Sequence, residues 1–321
     1  MTECSCTHVN ANQYDSKYTD LIRDILDNGI DRPDRTGVGS RAVFGKSFTV
    51  DLADGFPILT TRKVAFRIAF EETMFFLRGE TDTKKLEEKK INIWKGNTTR
   101  EFLDKMGLTH LPEGDMGKGY GYQWTRWEKY SIKRFEEVIE HADGSKTFLE
   151  AKVILEHINQ VKEMLERAKK NPNDRRLLFS AWNPAQLGDT PLVPCHMLSQ
   201  YQVLDGKLNS LWFQRSVDSI YGLPYNVMSY AFLNLLFSKA LNLIPGELTF
   251  FGGDTHIYMN QVDIATEQVD VSQRFGFDLP KLEINKDINT WEDIVSLQYE
   301  DVKLVGYEAH PDFKNKPPMA V

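Results

Sequence analysis

Cys195 stands between Pro194 and His196 in the middle of the chain, far from the other two cysteines, Cys4 and Cys6. Its plain reading is a small buried hydrophobe. Its chemical reading is a nucleophile, because a thiol attacks carbon once a base or a nearby cation favours the thiolate. Arg175, Arg176 and Arg215 are the cations that could do this. Arginine forks also match phosphate oxygens two at a time, so Arg175-Arg176 before one strand and Arg215-Ser216 after another could hold a phosphorylated substrate. Each pair could equally be a solvated strand end matched by Asp174 or Asp218.

Other polar residues sit in apolar surroundings. Val64 to Leu77 reads as a buried helix, yet it carries Glu71 and Glu72. One of them can face solvent. Glu72 in such a helix is costly unless paired or protonated, which makes it a candidate general acid or base with a raised pKa. Its plain reading is a salt bridge with Arg67. Asn226 lies just inside a helix that opens after Gly222-Leu223-Pro224, and its amide offers both a donor and an acceptor. It could instead be an N-cap or a satisfied core group. His256 and Tyr258 alternate on a strand and so share a face, or simply close the strand end. No metal-ligand spacing joins the seven histidines, and no Walker or dinucleotide fingerprint is present.

These residues need elements to hold them. The chain has 321 residues, 41% hydrophobic and 26% charged, which excludes a disordered, collagen-like or disulfide-scaffold class. A net charge of −7 argues against an electrostatic nucleic-acid binder. No apolar run is long enough to cross a bilayer, and the polar N-terminus lacks a signal core. An odd cysteine count fits a reducing, cytoplasmic compartment. Residues 1–14 are expected to be flexible, and 15–321 to form a single catalytic domain.

Residues 15–29 predict a first helix, capped by Asp15 and stopped by Gly29. A strand follows over 41–52, and Thr98 to Glu101 matches a capping box. Residues 128–150 read as a surface hairpin or insertion with an Asp143-Gly144 turn, and a long helix is expected over 150–170. Strands are expected over 177–182, 197–204 and 207–214, with an Asp205-Gly206 hairpin turn, then a helix over 227–241 and a strand over 248–253. Helices mixed with antiparallel strands indicate α+β.

The ordered segments Arg35-Thr36-Gly37-Val38-Gly39, Leu59-Thr60-Thr61-Arg62-Lys63, Ile93-Trp94, Tyr120-Gly121-Tyr122-Gln123-Trp124 and Asp174-Arg175-Arg176 continue into Ser180-Ala181-Trp182-Asn183-Pro184 and Pro194-Cys195-His196. Gln214-Arg215-Ser216-Val217-Asp218, Gly222-Leu223-Pro224-Tyr225-Asn226 and Gly253-Asp254-Thr255-His256-Ile257-Tyr258 complete the series. Together, from about Tyr18 to Val321, they resemble the thymidylate synthase family. The terminal Met319-Ala320-Val321 resembles that family's C-terminus.

The resemblance implies one α+β domain, a large mixed sheet flanked by helices, and a homodimer packed sheet to sheet. It implies that Cys195 adds to C6 of the uracil ring of dUMP, so that C5 attacks the methylene of 5,10-methylenetetrahydrofolate, with no metal. The implied catalytic set is Cys195, Glu72, Asn226, Tyr120, His196 and Asp218. Arg35, Arg215 and Ser216, with Arg175 and Arg176 reaching over from a partner subunit, would hold the phosphate. Gln214 joins the nucleotide side. Asn226 would pair with N3 and O4, where cytosine-specific members carry aspartate. His256 and Tyr258 would bind the 3′-hydroxyl. Glu72 would organise waters and move protons at C5 and O4. Asp218 would bind the pterin, with Ile93, Tyr221, Gly222 and Tyr225 beside the folate. Trp94, Leu192 and Val321 would close over it and exclude water.

The folate side departs from the family pattern. Tyr225 replaces a near-universal Phe, and Tyr221 a usual Leu. Ala65 and Ile68 replace a polar pair, Gly119 a valine, and Lys95 an aspartate, whereas Asn97 matches eukaryotic members. The family divides after one-carbon transfer. Synthases give dTMP and dihydrofolate; viral deoxyuridylate hydroxymethylases add water. Hydroxyls on Tyr221 and Tyr225 could hold such a water, while Trp94 and the C-terminus favour hydride transfer. A non-catalytic nucleotide-binding protein should have lost Cys195, Asn226 or the arginines, and all are present. A papain-like hydrolase lacks its local signature around the cysteine.

Overall fold

The computed structural model describes residues 12–134, 138–148, 151–272, 276–314 and 317. Helix α1 (Gln13–Asn28) buries Tyr14, Tyr18, Ile22 and Ile25, a stripe at helical spacing. Its cap is Asn12, whose side chain accepts from the Asp15 amide at 2.9 Å. The expected cap, Asp15, is fully buried and accepts from the Thr60 amide at 3.1 Å. Tyr14, placed by the sequence reading in the N-terminal segment, is 0% exposed within this helix; residues 1–11, with Cys4 and Cys6, lie outside the described residues.

Strands β1 (Ile30–Arg32) and β2 (Ser40–Asp51) follow, then α2 (Phe66–Leu77), α3 (Lys84–Glu88), α4 (Arg100–Lys105) and α5 (Tyr120–Arg126). Thr99, not Thr98, caps α4, accepting from the Phe102 amide at 3.2 Å. The Thr98 hydroxyl is taken by the Trp94 carbonyl at 3.1 Å. Gly121 lets α5 touch α2 at the backbone: a Cβ there would lie 2.7 Å from the Phe76 Cα and carbonyl oxygen.

The 128–150 region opens into β3 (Trp127–Arg134), β4 (Val138–Glu140), β5 (Lys146–Phe148) and β6 (Ala151–Ile158). β4 and β5 form a hairpin, and β6 pairs antiparallel with β3 from Trp127↔Ile158 to Arg134↔Ala151. The helix expected from 150 is therefore shorter, α6 (Gln160–Lys170), capped by the Asn159 side chain. β-branched Val153, Ile154 and Ile158 favour the pleated ribbon over helix. The root of the segment is not surface: the Glu128 side chain is 5% exposed. It accepts from the Tyr122 hydroxyl at 2.5 Å and the Gln186 amide at 2.5 Å.

The remaining elements are β7 (Leu178–Ser180), β8 (His196–Leu204), β9 (Lys207–Asp218), α7 (Leu223–Leu241), β10 (Ile244–Tyr258), α8 (Val262–Ser272), β11 (Lys281–Ile284), α9 (Trp291–Ser296) and β12 (Val302–Val305). The main sheet runs β1-β2-β10-β9-β8-β7. β9 and β10 are parallel, joined through α7, and every other pair is antiparallel. Asp205 and Gly206, at φ 48° and 73°, make the tight β8–β9 turn that the sequence predicts. Alternation sends Leu208, Trp212, Leu248 and Phe250 into the core under α1 and α7, and leaves Phe213 and Phe251 on the other face, 37% and 42% exposed. This is a mixed α/β architecture around a six-stranded mixed sheet. Among the described residues no helix is long and apolar enough to cross a membrane.

Candidate active site

Cys195 immediately precedes β8, and its backbone is pinned from two sides. Its amide donates to the Tyr120 hydroxyl at 2.8 Å, and its carbonyl accepts from the Arg215 amide at 2.8 Å. The Arg215 side chain reaches back to the same loop. Nε donates to the Pro194 carbonyl at 2.9 Å, Nη2 to the Val193 carbonyl at 2.8 Å, and Nη2 lies 3.8 Å from Cys195 Sγ. The cation thus sits beside the thiol. Burial nevertheless pushes the thiol above its ordinary pKa, while Arg215, the Tyr120 hydroxyl and Arg35 pull it down. The sequence expectation of a lowered value is corrected here: desolvation outweighs one adjacent guanidinium. Arg175 and Arg176 give no help within the chain. Both are exposed, and Arg176 holds the two Asp174 carboxylate oxygens at 2.9 and 2.8 Å.

Tyr120 opens α5 with φ 25°, a rare conformation for a residue with a side chain. Its ring stacks on Phe76 at 4.9 Å and lies 4.4 Å from the His196 ring. His196 is buried, its Nδ1 paired with the Tyr230 hydroxyl at 2.8 Å. Burial lowers its pKa to about 3, so the imidazole is neutral near pH 7.

A cavity of about 410 Å³ lies next to this loop, lined by Ile68, Glu72, Ile93, Trp94, Asn97, Leu192, Tyr221, Gly222, Tyr225, Asn226 and Pro317. Glu72 is its carboxyl group. Trp94 Nε1 donates to Glu72 Oε1 at 2.8 Å, and burial raises the carboxyl to about 7. The alternative Arg67 pairing does not form, since Arg67 donates to the Lys89 carbonyl at 3.1 Å. The neighbouring Glu71 does not face solvent either; it is 6% exposed and paired with Lys89 at 2.6 Å.

Asn226 is the fourth residue of α7, with its amide nitrogen bonded to the Gly222 carbonyl, so it is not the cap. A donor chain orients its side chain. Trp212 Nε1, which can only donate, gives to Gln214 Oε1 at 3.3 Å. Gln214 Nε2 must then point the other way, to the Ser216 carbonyl and to Asn226 Oδ1, both at 3.1 Å. Among the described residues, Asn226 keeps one Oδ1 lone pair and both Nδ2 protons for another group.

Asp218 ends β9 and builds the next turn, its Oδ1 accepting from the Ile220 and Tyr221 amides at 3.0 Å each. His256 pairs with Asp254 at 3.0 Å, and its ring meets the Tyr258 ring edge-on at 5.0 Å. Burial lifts the Tyr258 hydroxyl to about 12. Ser216 lies opposite Asp254 in the parallel pair. Arg35 is exposed on a loop tied by Asp34, and its charge acts on both Cys195 and Tyr258. Val321 lies outside the described residues.

Ile68 and Asn97, compared with the family pattern on the folate side but given no role, line the cavity, and so does Pro317, which the sequence reading did not single out. Ile68 had a signal, one helical turn before Glu72. Pro317 had none, because only the path of the chain brings it there. Arg62, also unselected, is 3% exposed and donates to the Ile220 carbonyl. Among the described residues no cluster of His, Cys, Asp and Glu could hold a metal.

Fold and site together define a mixed α/β protein with a half-buried cysteine beside a guanidinium, next to a largely apolar cavity that holds one high-pKa carboxyl and one oriented amide. The thymidylate synthase family pattern matches residues 16–321, and the chain belongs to that family. Thymidylate synthase 1/2 of Encephalitozoon cuniculi (strain GB-M1) is 40% identical over 300 residues, covering 93% of this chain and 95% of that protein. Bifunctional dihydrofolate reductase-thymidylate synthases of Paramecium tetraurelia and Leishmania amazonensis are 38% and 39% identical over 98% and 96% of this chain. The chain spans 63% of the length of the first and 56% of the second.

Proposed function

We propose that this protein transfers a one-carbon unit from 5,10-methylenetetrahydrofolate to C5 of dUMP, giving dTMP and dihydrofolate. The observation that carries the reading is that Glu72 and Asn226 line the same cavity, with the Asn226 amide oriented from Trp212 through Gln214. An amide held this way accepts from N3–H of a uracil with Oδ1 and donates to O4 with Nδ2. A cytosine ring would oppose donor to donor. Glu72, raised to about 7, can both give and take a proton at the working pH.

Cys195 is the nucleophile for C6. Its high intrinsic pKa suits a thiol that stays protonated until substrate is seated. Arg215 holds the thiolate beside it, and Arg35 and Ser216 bind phosphate with it. His256 and Tyr258 take the 3′-hydroxyl. Tyr120 positions the cysteine through its backbone amide, and His196 packs against Tyr120 as a neutral ring. Ile68, Ile93, Trp94, Leu192, Tyr221 and Tyr225 suit the flat rings of a folate, with Asp218 and Gly222 at its polar edge. The folate supplies the methylene carbon and the hydride. Arg175 and Arg176, exposed and outside the cavity lining, would complete the phosphate site of a second copy. Exposed Phe213 and Phe251 on the outer sheet face suit a homodimer packed sheet to sheet.

A second reading, hydroxymethyl-dUMP with tetrahydrofolate, is favoured by one observation. The Tyr225 hydroxyl has no hydrogen-bond partner among the described residues and lines the cavity, where it could hold a water. One incubation with dUMP and 5,10-methylenetetrahydrofolate, with both products identified by mass, separates these. dTMP with dihydrofolate supports the synthase. Hydroxymethyl-dUMP with tetrahydrofolate supports the alternative, and Tyr225→Phe should then restore dTMP. Neither product overturns both.

A further inference from the structure

Glu128 is a buried carboxylate of the opposite kind to Glu72. Its side chain is 5% exposed, and each of its oxygens accepts twice. Oε1 takes the Tyr122 hydroxyl at 2.5 Å and Lys118 Nζ at 2.9 Å. Oε2 takes the Tyr130 hydroxyl at 2.6 Å and the Gln186 amide at 2.5 Å. A carboxylate has about four lone-pair sites, so this one is full. Burial by itself would raise the group, but the bonds from Tyr122, Tyr130 and Lys118 outweigh it and hold the carboxyl at about 2. Glu128 is thus ionised near neutral pH and has no site left for a substrate or a water. What it holds is protein.

The four donors come from four stretches of chain: the loop before α5, α5 itself, β3 and the 184–189 turn. An ionised carboxylate only accepts, so it fixes Gln186 with Nε2 inward and Oε1 outward. That Oε1 accepts from Gln123 Nε2 at 2.8 Å. Gln123 Nε2 also gives to the Lys118 carbonyl at 2.9 Å. Two successive residues of α5 are therefore gripped, Tyr122 directly and Gln123 through Gln186. Two positions before Tyr122 stands Tyr120, whose hydroxyl accepts from the Cys195 amide at 2.8 Å. Tyr120 has φ 25°, a backbone state that persists only where its surroundings enforce it.

We propose that Glu128 is a positioning residue that clamps the start of α5 and so keeps the Tyr120 hydroxyl at Cys195. The proposal rests on the functional reading for its effect on turnover, but not for its effect on the thiol. The plainer role, an anchor for the β3–β6 ribbon alone, uses a different donor. Tyr122 and Gln186 lead to α5, whereas Tyr130 lies exposed on the ribbon, where water can take its place.

Three variants of the full chain separate these roles: Glu128→Gln, Tyr122→Phe and Tyr130→Phe. Tyr122→Phe removes only an oxygen, because the ring stays under Arg126 at 4.6 Å. The first readout is iodoacetamide alkylation against pH, followed by mass on the peptide that carries Cys195. In Glu128→Gln and Tyr122→Phe the rate at pH 8 should fall roughly threefold and the profile should move to higher pH, since the Tyr120 hydroxyl favours the thiolate. Tyr130→Phe should match the wild type. In turnover, kcat of the first two should fall roughly tenfold while KM for dUMP stays constant. If Glu128→Gln does not fold, Tyr122→Phe decides. Unchanged thiol profiles with only a lower Tm overturn the clamp and leave a ribbon anchor. An equal shift in Tyr130→Phe overturns it too, because the ribbon would then carry the effect. A shifted thiol with unchanged kcat overturns the link to turnover. A wild-type protein that makes no product would sink the functional reading alone, because the thiol profiles still decide the clamp.

Discussion

Trp94 Nε1 donates to Glu72 Oε1 across 2.8 Å, inside a cavity whose lining is otherwise mostly apolar. One donor is too little to offset the loss of water around a carboxylate, so the group is held near the protonated state, at about 7. The same pocket wall that makes Glu72 useful makes it a burden on stability when ionised.

That burden has a definite pH window. Glu72 binds its proton more tightly folded, at about 7, than unfolded, near 4.5, so its contribution is fully present below pH 4.5 and is lost as pH rises through 7. Glu72→Gln should remove this slope and raise stability at pH 8 on the order of 2 kcal/mol, discounted for the partial exposure of the group. His196 slopes the other way. Its folded value of about 3 lies below the unfolded 6.5, so stability is lost as pH falls through that window. His196→Gln should flatten the acid limb. Urea unfolding of both variants from pH 4 to 8 checks the signs; two slopes of the same sign would refute the assignment.

Cys195 should be a slow thiol in the free protein. Its alkylation by iodoacetamide should titrate above the ordinary cysteine range, because burial raises it. Arg215→Gln removes the cation 3.8 Å from Sγ, so labelling at pH 8 should slow roughly threefold to tenfold. Cys195→Ala should abolish turnover while dUMP binding, read by calorimetry, persists. Residual turnover in that variant would remove the covalent step.

Asn226→Asp should exchange an Nδ2 donor for an acceptor at the base edge. The Gln214 amide still has an oxygen to donate to, so the local network survives. Preference should move toward dCMP, with the ratio of kcat/KM values for dUMP and dCMP changing roughly tenfold or more. An unchanged ratio means that Asn226 does not read the base.

Gly121→Ala should be costly without touching the chemistry directly. The added Cβ would meet the Phe76 backbone at 2.7 Å, forcing α5 off α2. A loss of about 3 kcal/mol is expected in chemical unfolding. Because α5 carries Tyr120 and α2 carries Glu72, activity should fall further than the folded fraction does.

Much of this molecule is legible in the order of its residues. The period-3.6 stripes of α1, the all-apolar α2 and α7, the Asp205-Gly206 turn and the alternation along β8 and β9 are local signals, and the structure carries them nearly where the pattern puts them. Local pattern misleads where a competing partner lies far along the chain. Asp15 has the form of a cap, but Thr60, 45 positions away, claims it. Residues 151–158 look helical next to α6 until β3 offers a pairing edge. Thr98 fits a capping box, yet its hydroxyl is already spent on Trp94.

The sequence by itself carried the resemblance to the family and most of the elements around Cys195, because the order of its motifs and short-range spacing are written in the chain directly. Only the tertiary structure decided the electrostatic state of the site. Whether Cys195 titrates above or below its ordinary value depends on a sum of desolvation and distant charges, and that sum came out upward. Whether Glu71 or Glu72 meets the cavity depends on what packs against each face of α2, and Lys89 took Glu71. The second end of the Tyr221 contact, Pro317, lies 96 residues away, so no window of sequence could have paired them.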